Sequence, residues 1–331
     1  ELPDPGARTH SQEELRAFLQ PLPAKSPQEA AATFETARGF RMELVASEPL
    51  VASPVAAAFD ENGQLYVAEM RDYPYKPKPG QKPLGTIRLL RDTDGDGRFD
   101  QSTIFADGLL WPAGVACSNG GVFVAAPPDI WFLQDTDGDH VADARRKIFS
   151  GFGTQNQQGM LNNLIFGLDH KIYGSSSING GEIQRVDAPQ AGAAVSVRGR
   201  DFRFDPVTLA FEAISGAVQF GNTFDDWGNR FLCSESHPLL HPVLPADALA
   251  RNPFLAVPTA IDDIVGGSVP IFRISPIERW RQIRSSRRIA HGERSADSAG
   301  ASHHVIDAAA GVTVYRGGAY PESFRGQVFV A

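Results

Sequence analysis

Residues Asp60 to Glu69 read Asp-Glu-Asn-Gly-Gln-Leu-Tyr-Val-Ala-Glu, a turn followed by a short alternating strand. Asp and Asn bond their own backbone and glycine accepts positive φ, so the first four residues favour a tight turn. The stretch recurs with variations. Gly63-Gln-Leu-Tyr66-Val is followed by Gly120-Gly-Val-Phe123-Val, His170-Lys-Ile-Tyr173-Gly, Gly228-Asn-Arg-Phe231-Leu and Gly326-Gln-Val-Phe329-Val. The aromatic anchors Tyr66, Phe123, Tyr173, Phe231 and Phe329 are spaced by 57, 50, 58 and 98 residues. Turn-plus-strand units repeating at ~40–50 residues mark a β-propeller, and longer loops account for the longer period. The last spacing is close to two periods, so one further unit is expected inside it. The reading is an all-β, six-bladed β-propeller.

Each unit is expected to hold four strands. In the first these are 55–59, 65–68, 86–90 and 102–105; in the second, 114–117, 122–125, 130–133 and 146–149. The third starts at Leu164 and the fourth at Asn222. In the fifth, Pro270–Ile274 is a candidate strand, followed by a short helix bearing Trp280. The sixth, from Gly311, shows only two strands, so the last blade is incomplete. Phe40–Ala46 alternates as a strand and is a candidate to complete it. Residues 1–38 form a separate helical extension, with Ser11-x-x-Glu14 and Ser26-Pro-x-Glu29 as helix-start signals; residues 39–331 are the propeller.

Composition narrows the function. With 32 Gly, 24 Pro and 21% charged residues, the chain suits a turn-rich β protein. A net charge of −8 argues against nucleic acid, which needs a positive surface. No apolar run of ~18 residues is present, so no transmembrane segment is expected. The two cysteines, Cys117 and Cys233, form no CxxCH, so haem within this chain is unsupported. The absence of an initial Met fits a removed leader, and the unfinished last blade fits a piece of a longer protein.

Two acidic loops stand out. Asp92, Asp94, Asp96 and Asp100 fall in D-x-D-x-D-G with a further Asp at position nine; Asp135, Asp137, Asp139 and Asp143 repeat the pattern, with His140 in place of glycine. Alternate carboxylates on a tight turn can converge on Ca²⁺. The twelfth-position Glu of an EF-hand is missing, since Thr103 and Arg146 stand there. A nine-residue structural Ca²⁺ loop on the outer rim is expected; a solvated acidic turn without metal is the alternative.

In a propeller the loops entering each inner strand and leaving each second strand gather on one face, where ligands bind. The entering loops are 107–113, 150–163 and 215–222. The leaving loops include 70–84, 175–181 and 234–241. They carry Arg71, Tyr73, Trp111, Gln157, Asn162, Asn163, Gln219, Asn222 and His237. Such groups suit hydroxyl-rich or carboxylated ligands. The plainer readings are Trp111 as a plug of the channel, the amides as partners of turn backbone, and the histidines as ordinary loop residues. The arginine-rich run 273–294 is either an anion or partner surface or a solvated helix face.

Several segments together, among them 39–74 (GFRMELVASEPLVASPVAAAFDENGQLYVAEMRDYP), 151–174 (GFGTQNQQGMLNNLIFGLDHKIYG) and 309–331 (AAGVTVYRGGAYPESFRGQVFVA), resemble the N-terminal domain of planctomycete and verrucomicrobial membrane-bound dehydrogenases. That family is similar to soluble quinoprotein glucose/sorbosone dehydrogenase propellers. The resemblance implies an exported, periplasmic or outer-side membrane-associated oxidoreductase that binds a carbohydrate or polyol. It also implies pyrroloquinoline quinone as cofactor and a cytochrome c domain beyond Ala331 as electron acceptor. In such dehydrogenases a His before an inner strand is the base. Here that loop carries Gln157, Gln158, Asn162 and Asn163 instead, and amides cannot take a proton. His237 or His303, from neighbouring loops, would then serve as catalytic base, with the amides, Arg71, Tyr73 and Trp111 lining the cofactor site. A non-catalytic carbohydrate- or partner-binding propeller is the alternative.

Overall fold

The computed structural model describes residues 11–18, 23–188, 190, 192–252, 254–266, 270–272, 283–284, 303–306 and 309–331. Blade 1 comprises β1 (Pro54–Phe59), β2 (Leu65–Glu69), β3 (Gly85–Arg91) and β4 (Gln101–Leu109), paired in that order. Blade 2 comprises β5 (Gly114–Ser118), β6 (Gly121–Ala126), β7 (Asp129–Gln134) and β8 (Ala144–Phe152). Blade 3 begins with β9 (Asn162–Phe166) and β10 (Ile172–Ser175). The chain then leaves it to form β11 (Gly181–Arg185) and β12 (Val195–Ser196), which extend the outer edge of blade 2 to six strands. It returns as β13 (Asp201–Phe204) and β14 (Phe211–Ile214) to finish blade 3. Blade 4 is β15 (Phe220–Phe224), β16 (Arg230–Ser234), β17 (His237–Pro242) and β18 (Ile261–Asp263), with a short helix α1 (Ala246–Ala250) between the last two. After β19 (Pro270–Phe272) and β20 (His303–Val305), a separate two-stranded sheet, come β21 (Val312–Val314) and β22 (Val328–Val330).

The order in space defines the propeller. The first strands β1, β5, β9, β15 and β21 pack side by side in succession, and each second strand leans on the next blade's first strand. The aromatic anchors occupy equivalent positions. Tyr66, Phe123, Tyr173, Phe231 and Phe329 all lie on second strands, opposite Ala58, Ala116, Ile165, Thr223 and Thr313 of the first. The turn that precedes them is built alike in blades 1 and 4. Asp60 accepts from the N–H groups of Asn62 and Gln64 and from the Gln64 amide. Asp225 does the same for Trp227 and Asn229.

The core lies between blades. Blades 1 and 2 share Phe105, Leu109, Val115, Val124 and Ala142; blades 2 and 3 share Phe123, Phe149, Phe202 and Phe204. Gly221 marks a close approach between blades. Its φ is +74°, and a Cβ there would lie 2.6 Å from Val312 of the next blade, so a side chain is excluded both by conformation and by space.

Three expectations are corrected. Among the described residues the 98-residue spacing shows no extra blade: β15 packs directly on β21, and the Val314 N–H donates to Thr223 Oγ1 at 3.2 Å. The long gap follows β18, and the blades counted in succession among the described residues are five. Residues 40–46 form no strand; instead Phe40 packs edge-on against Tyr320 and Phe324 of the last unit, while Phe99 of blade 1 donates its N–H to Val45. Residues 237–242 are strand rather than loop. Leu19, the Trp280 helix and, save 283–284, the arginine run from 273 to 294 lie outside the described residues.

Candidate functional site

Antiparallel order puts the β1–β2 and β3–β4 type connections on one face and the entering loops on the other; these are called here the turn face and the loop face. On the loop face the entering loops of blades 2, 3 and 4 are joined in series beside the inner strands. The Asn163 N–H donates to Ala113 O at 3.4 Å, and Asn222 Nδ2 donates to Asn163 O at 3.4 Å. Asn162, 7% exposed, donates from Nδ2 to Met160 O at 2.8 Å and to Gln219 O at 3.0 Å. Gln219 Nε2 in turn reaches Gln158 O at 3.0 Å. Asn163 has φ of +55° and bonds its amide to Asn162 Oδ1. These four predicted residues are thus brought together, and their polar atoms hold one loop to the next. Gln157 lies half-buried in the same loop.

Trp111 sits in the connection from blade 1 to blade 2, at φ +44° and wholly buried. Its Nε1 has no hydrogen-bond partner among the described residues. A buried donor left unpaired costs about 1–3 kcal/mol, so this is an orphaned group on the face where a ligand is expected. Lys76 lies over the Trp111 ring at 5.7 Å and donates to Thr154 O at 3.2 Å, tying the 70–84 loop across to blade 2's exit. Arg71 is part-exposed and pairs with Glu69 at 3.1 Å; Tyr73 is exposed.

His237 opens β17 with Nε2 3.8 Å from Asp263 and Nδ1 3.2 Å from Ser236 Oγ. No hydrogen bond links it to the amide cluster among the described residues. His241 belongs to the far end of the same strand, stacked on the anchor Phe231 and bonded to Arg230 O. His303 begins β20 opposite Phe272; its side chain lies outside the described residues. Cys117 and Cys233 are unbridged. Burial pushes their thiols up to about 12 and about 11, so neither is a nucleophile near neutral pH.

Residues the sequence reading missed hold this face together. Glu69, wholly buried at the end of β2, accepts from Ala52 N–H, Thr86 Oγ1 and Arg88 Nε besides pairing with Arg71. Arg230, on β16, binds Asp201 at 2.7 Å, Asn222 Oδ1 at 2.8 Å and Ser215 O at 2.8 Å. Asp201 is fully buried, and burial raises its pKa against the opposing pull of Arg230. Alternation along Arg230-Phe-Leu232 was the available signal, since it puts the arginine on the same inward side as buried Leu232.

The acidic loops lie on the turn face. Asp92 accepts from Gly95 and Gly97 N–H at 2.7 and 2.9 Å; Asp135 accepts from Gly138 and His140 N–H at 2.7 and 2.8 Å. Thr93 and Thr136 donate to Asp100 and Asp143 in the same way. Oxygens of Asp92, Asp94 and Asp96, and of Asp135, Asp137 and Asp143, each converge within 4.8 Å. Asp139 accepts from the Val141 N–H at 2.8 Å, as Asp96 does from the Arg98 N–H. Hard oxygen donors at this density suit Ca²⁺.

The sheets and their loop face define a β-propeller with polar, part-exposed loops on one side. Over residues 26–331 the sequence matches a family described as a domain of unknown function, DUF7133, and the chain belongs to that family. No curated protein matches the sequence. Among solved structures, the chain is similar to the quinone-bound aldose sugar dehydrogenase of Streptomyces coelicolor, at 14% identity over 82% of this chain and 74% of that one, TM-score 0.43. It is similar to the pyranose dehydrogenase PQQ domain of Coprinopsis cinerea, at 16% identity over 63% and 47%, TM-score 0.41. It is also similar to the periplasmic gluconolactonase of Pseudomonas aeruginosa, at 14% identity over 58% and 53%, TM-score 0.36. The match spans about half the length of the last two. Overlaps this loose add nothing to the arrangement of sheets described above.

Proposed function

We propose that the chain is the propeller module of an exported sugar or polyol dehydrogenase that passes electrons to a cytochrome c domain outside this chain. The observation that carries the reading is the loop face: entering loops of consecutive blades are locked together there, beside a buried indole N–H without a partner among the described residues. The groups present fit an anionic planar cofactor. Trp111 offers the unpaired donor, and Lys76 and Arg71 offer positive charge at the rim. Pyrroloquinoline quinone, when bound, supplies a two-electron acceptor for a sugar hydroxyl. His237 is the residue to take the hydroxyl proton, with Asp263 beside it to stabilise the imidazolium. Ca²⁺ in the loops at Asp92–Asp100 and Asp135–Asp143 is structural. Periplasmic or outer-side placement belongs to the same proposal; among the described residues no helix is long and apolar enough to cross a membrane.

The test is reconstitution with pyrroloquinoline quinone and Ca²⁺, followed by a screen of aldoses and polyols for dye reduction. A quinone absorbance change and sugar-dependent reduction, lost in Trp111→Phe and His237→Ala, are expected. Neither change in the intact protein would sink the reading. A second reading, non-catalytic glycan or partner binding, draws on the amides: Asn162 and Gln219 are engaged with backbone, and no histidine among the described residues joins them. Saturable glycan binding without turnover would select it.

A further inference from the structure

We propose that the groove between blades 2 and 3 on the turn face is a second binding site, for a small organic anion with a flat apolar body. The groove measures about 420 Å³, within the range of ~300–1,000 Å³ usual for small-molecule sites. It lies on the face opposite the entering and leaving loops and does not depend on their role.

Loop length explains why it is open. Between blades 1 and 2 the acidic loop of blade 2 fills the corresponding place: Ala142 is buried there and its N–H donates to Phe105 O at 2.8 Å. The corresponding connection of blade 3, 205–210, is shorter and closes on itself, with Leu209 N–H donating to Asp205 O at 2.9 Å. It therefore reaches the rim of blade 2 without filling the space beneath. Two hydrogen bonds fix its distance. Asn119 Nδ2 donates to Pro206 O at 2.9 Å, and an Arg185 guanidinium nitrogen donates to Thr208 O at 3.0 Å. The walls are thus set before any ligand arrives.

The lining combines an aromatic floor with one uncompensated charge. Phe123, Phe132 and Ile148 form the floor, with Val207 and Leu209 opposite. β8 reads Arg145-Arg146-Lys147. Arg145 pairs with Asp107, and Lys147 pairs with Asp129 at 2.8 Å. Alternation turns Arg146 to the other side of the sheet. There it lies 5.2 Å over the Phe132 ring, with no carboxylate partner among the described residues. Arg185, also in the groove, is already held by both oxygens of Asp187 at 2.7 and 3.2 Å. A guanidinium fork beside an aromatic floor selects a carboxylate attached to a ring or short apolar body: the fork takes the carboxylate and the floor takes the body.

Calorimetric titration of the intact chain with sodium benzoate, and separately with benzyl alcohol, tests this. Benzoate is expected to bind saturably at one site, with benzyl alcohol about tenfold weaker or more, the size of one charged hydrogen bond. Arg146→Ala should weaken benzoate by about the same factor, and Arg146→Lys by less. Val207→Trp alters a residue 75% exposed at the rim and should block binding while leaving thermal unfolding unchanged. Absence of saturable heat, equal binding of the two probes, or benzoate binding untouched by Arg146→Ala and Val207→Trp would each overturn the proposal.

Discussion

The two faces of the propeller use polar residues in opposite ways. On the loop face, side chains reach across blades: Asn162 to Gln219, Asn222 to Asn163, Arg230 to Asp201, Lys76 to Thr154. On the turn face, the acidic loops satisfy themselves, each Asp bonding N–H groups within its own nine residues. The difference is one of reach. A loop that must join two blades spends its hydrogen bonds between elements, and its loss is felt by the whole ring. A loop that closes on itself leaves carboxylate oxygens free for solvent or a cation.

Removing the deepest interblade bond should break this contrast most strongly. Arg230→Met leaves the fully buried Asp201 carboxylate without its cation, at an expected cost of about 3–5 kcal/mol. The variant should also acquire a pH dependence of definite sign. Asp201 already has a raised pKa in the folded chain, and loss of Arg230 raises it further. A raised folded value means stability present at low pH and lost as pH rises through that value. Urea unfolding at several pH values checks both. A cost below about 1 kcal/mol, or a variant more stable at high pH, would refute the account.

Asn162→Ala is the next step down. It deletes two amide donations, one of them to the neighbouring entering loop, and should cost about 1–3 kcal/mol. If ligand binding on this face uses the loop framework rather than the amide itself, affinity should fall together with stability. Unchanged stability with lost binding would instead make Asn162 a direct contact.

This ordering also shows what the sequence carried. The propeller was legible because a period-2 strand and a short polar turn are local devices, and five copies put Tyr66 and its counterparts in register. The acidic loops were legible for the same reason. The blade count was not, because 98 residues is near two periods whether it holds a blade or an insertion, and only the packing of β15 on β21 decides. Nor was the departure of β11 and β12 from blade 3 to the edge of blade 2. Of the loop-face residues named, Asn162, Asn163, Gln219 and Asn222 prove to be neighbours. Their partners were not, since Asn162 and Gln219 are 57 residues apart and meet only through the ring. Glu69 lay within the opening stretch, but a charged residue ending a strand carries no sign of burial.

The turn face should respond more mildly. His140 holds φ +70° where the first loop has Gly97 at +86°. A non-glycine residue pays for that left-handed conformation, so His140→Gly should stabilise by about 1 kcal/mol and Gly97→Ala should destabilise by a similar amount. Equal effects of one sign would mean that the two loops are not equivalent in their backbone.

The smallest effect is the titration of the loops themselves, where Asp92 and Asp135 distinguish a cation site from a plain turn. Asp92 has a lowered pKa, held down by the N–H of Gly97 with Gly95 assisting against slight burial. Asp135 is lowered too: burial pushes its carboxyl up, but the N–H groups of Gly138 and His140 outweigh it. A depressed folded value gives stability present above the unfolded carboxyl range, about pH 4, and lost as pH falls through the folded value. The loops' own contribution to the melting temperature should therefore be flat from neutral to about pH 5 and decline below about pH 4. Added Ca²⁺ should raise the neutral melting temperature, since an ion bound only to the folded chain stabilises by mass action. Its benefit should vanish over the same acid range, because the ligands must be ionised. Asp92→Asn combined with Asp94→Asn should remove the response of the first loop. A melting temperature indifferent to Ca²⁺ at neutral pH would leave these loops as hydrogen-bonded turns whose spare oxygens face water.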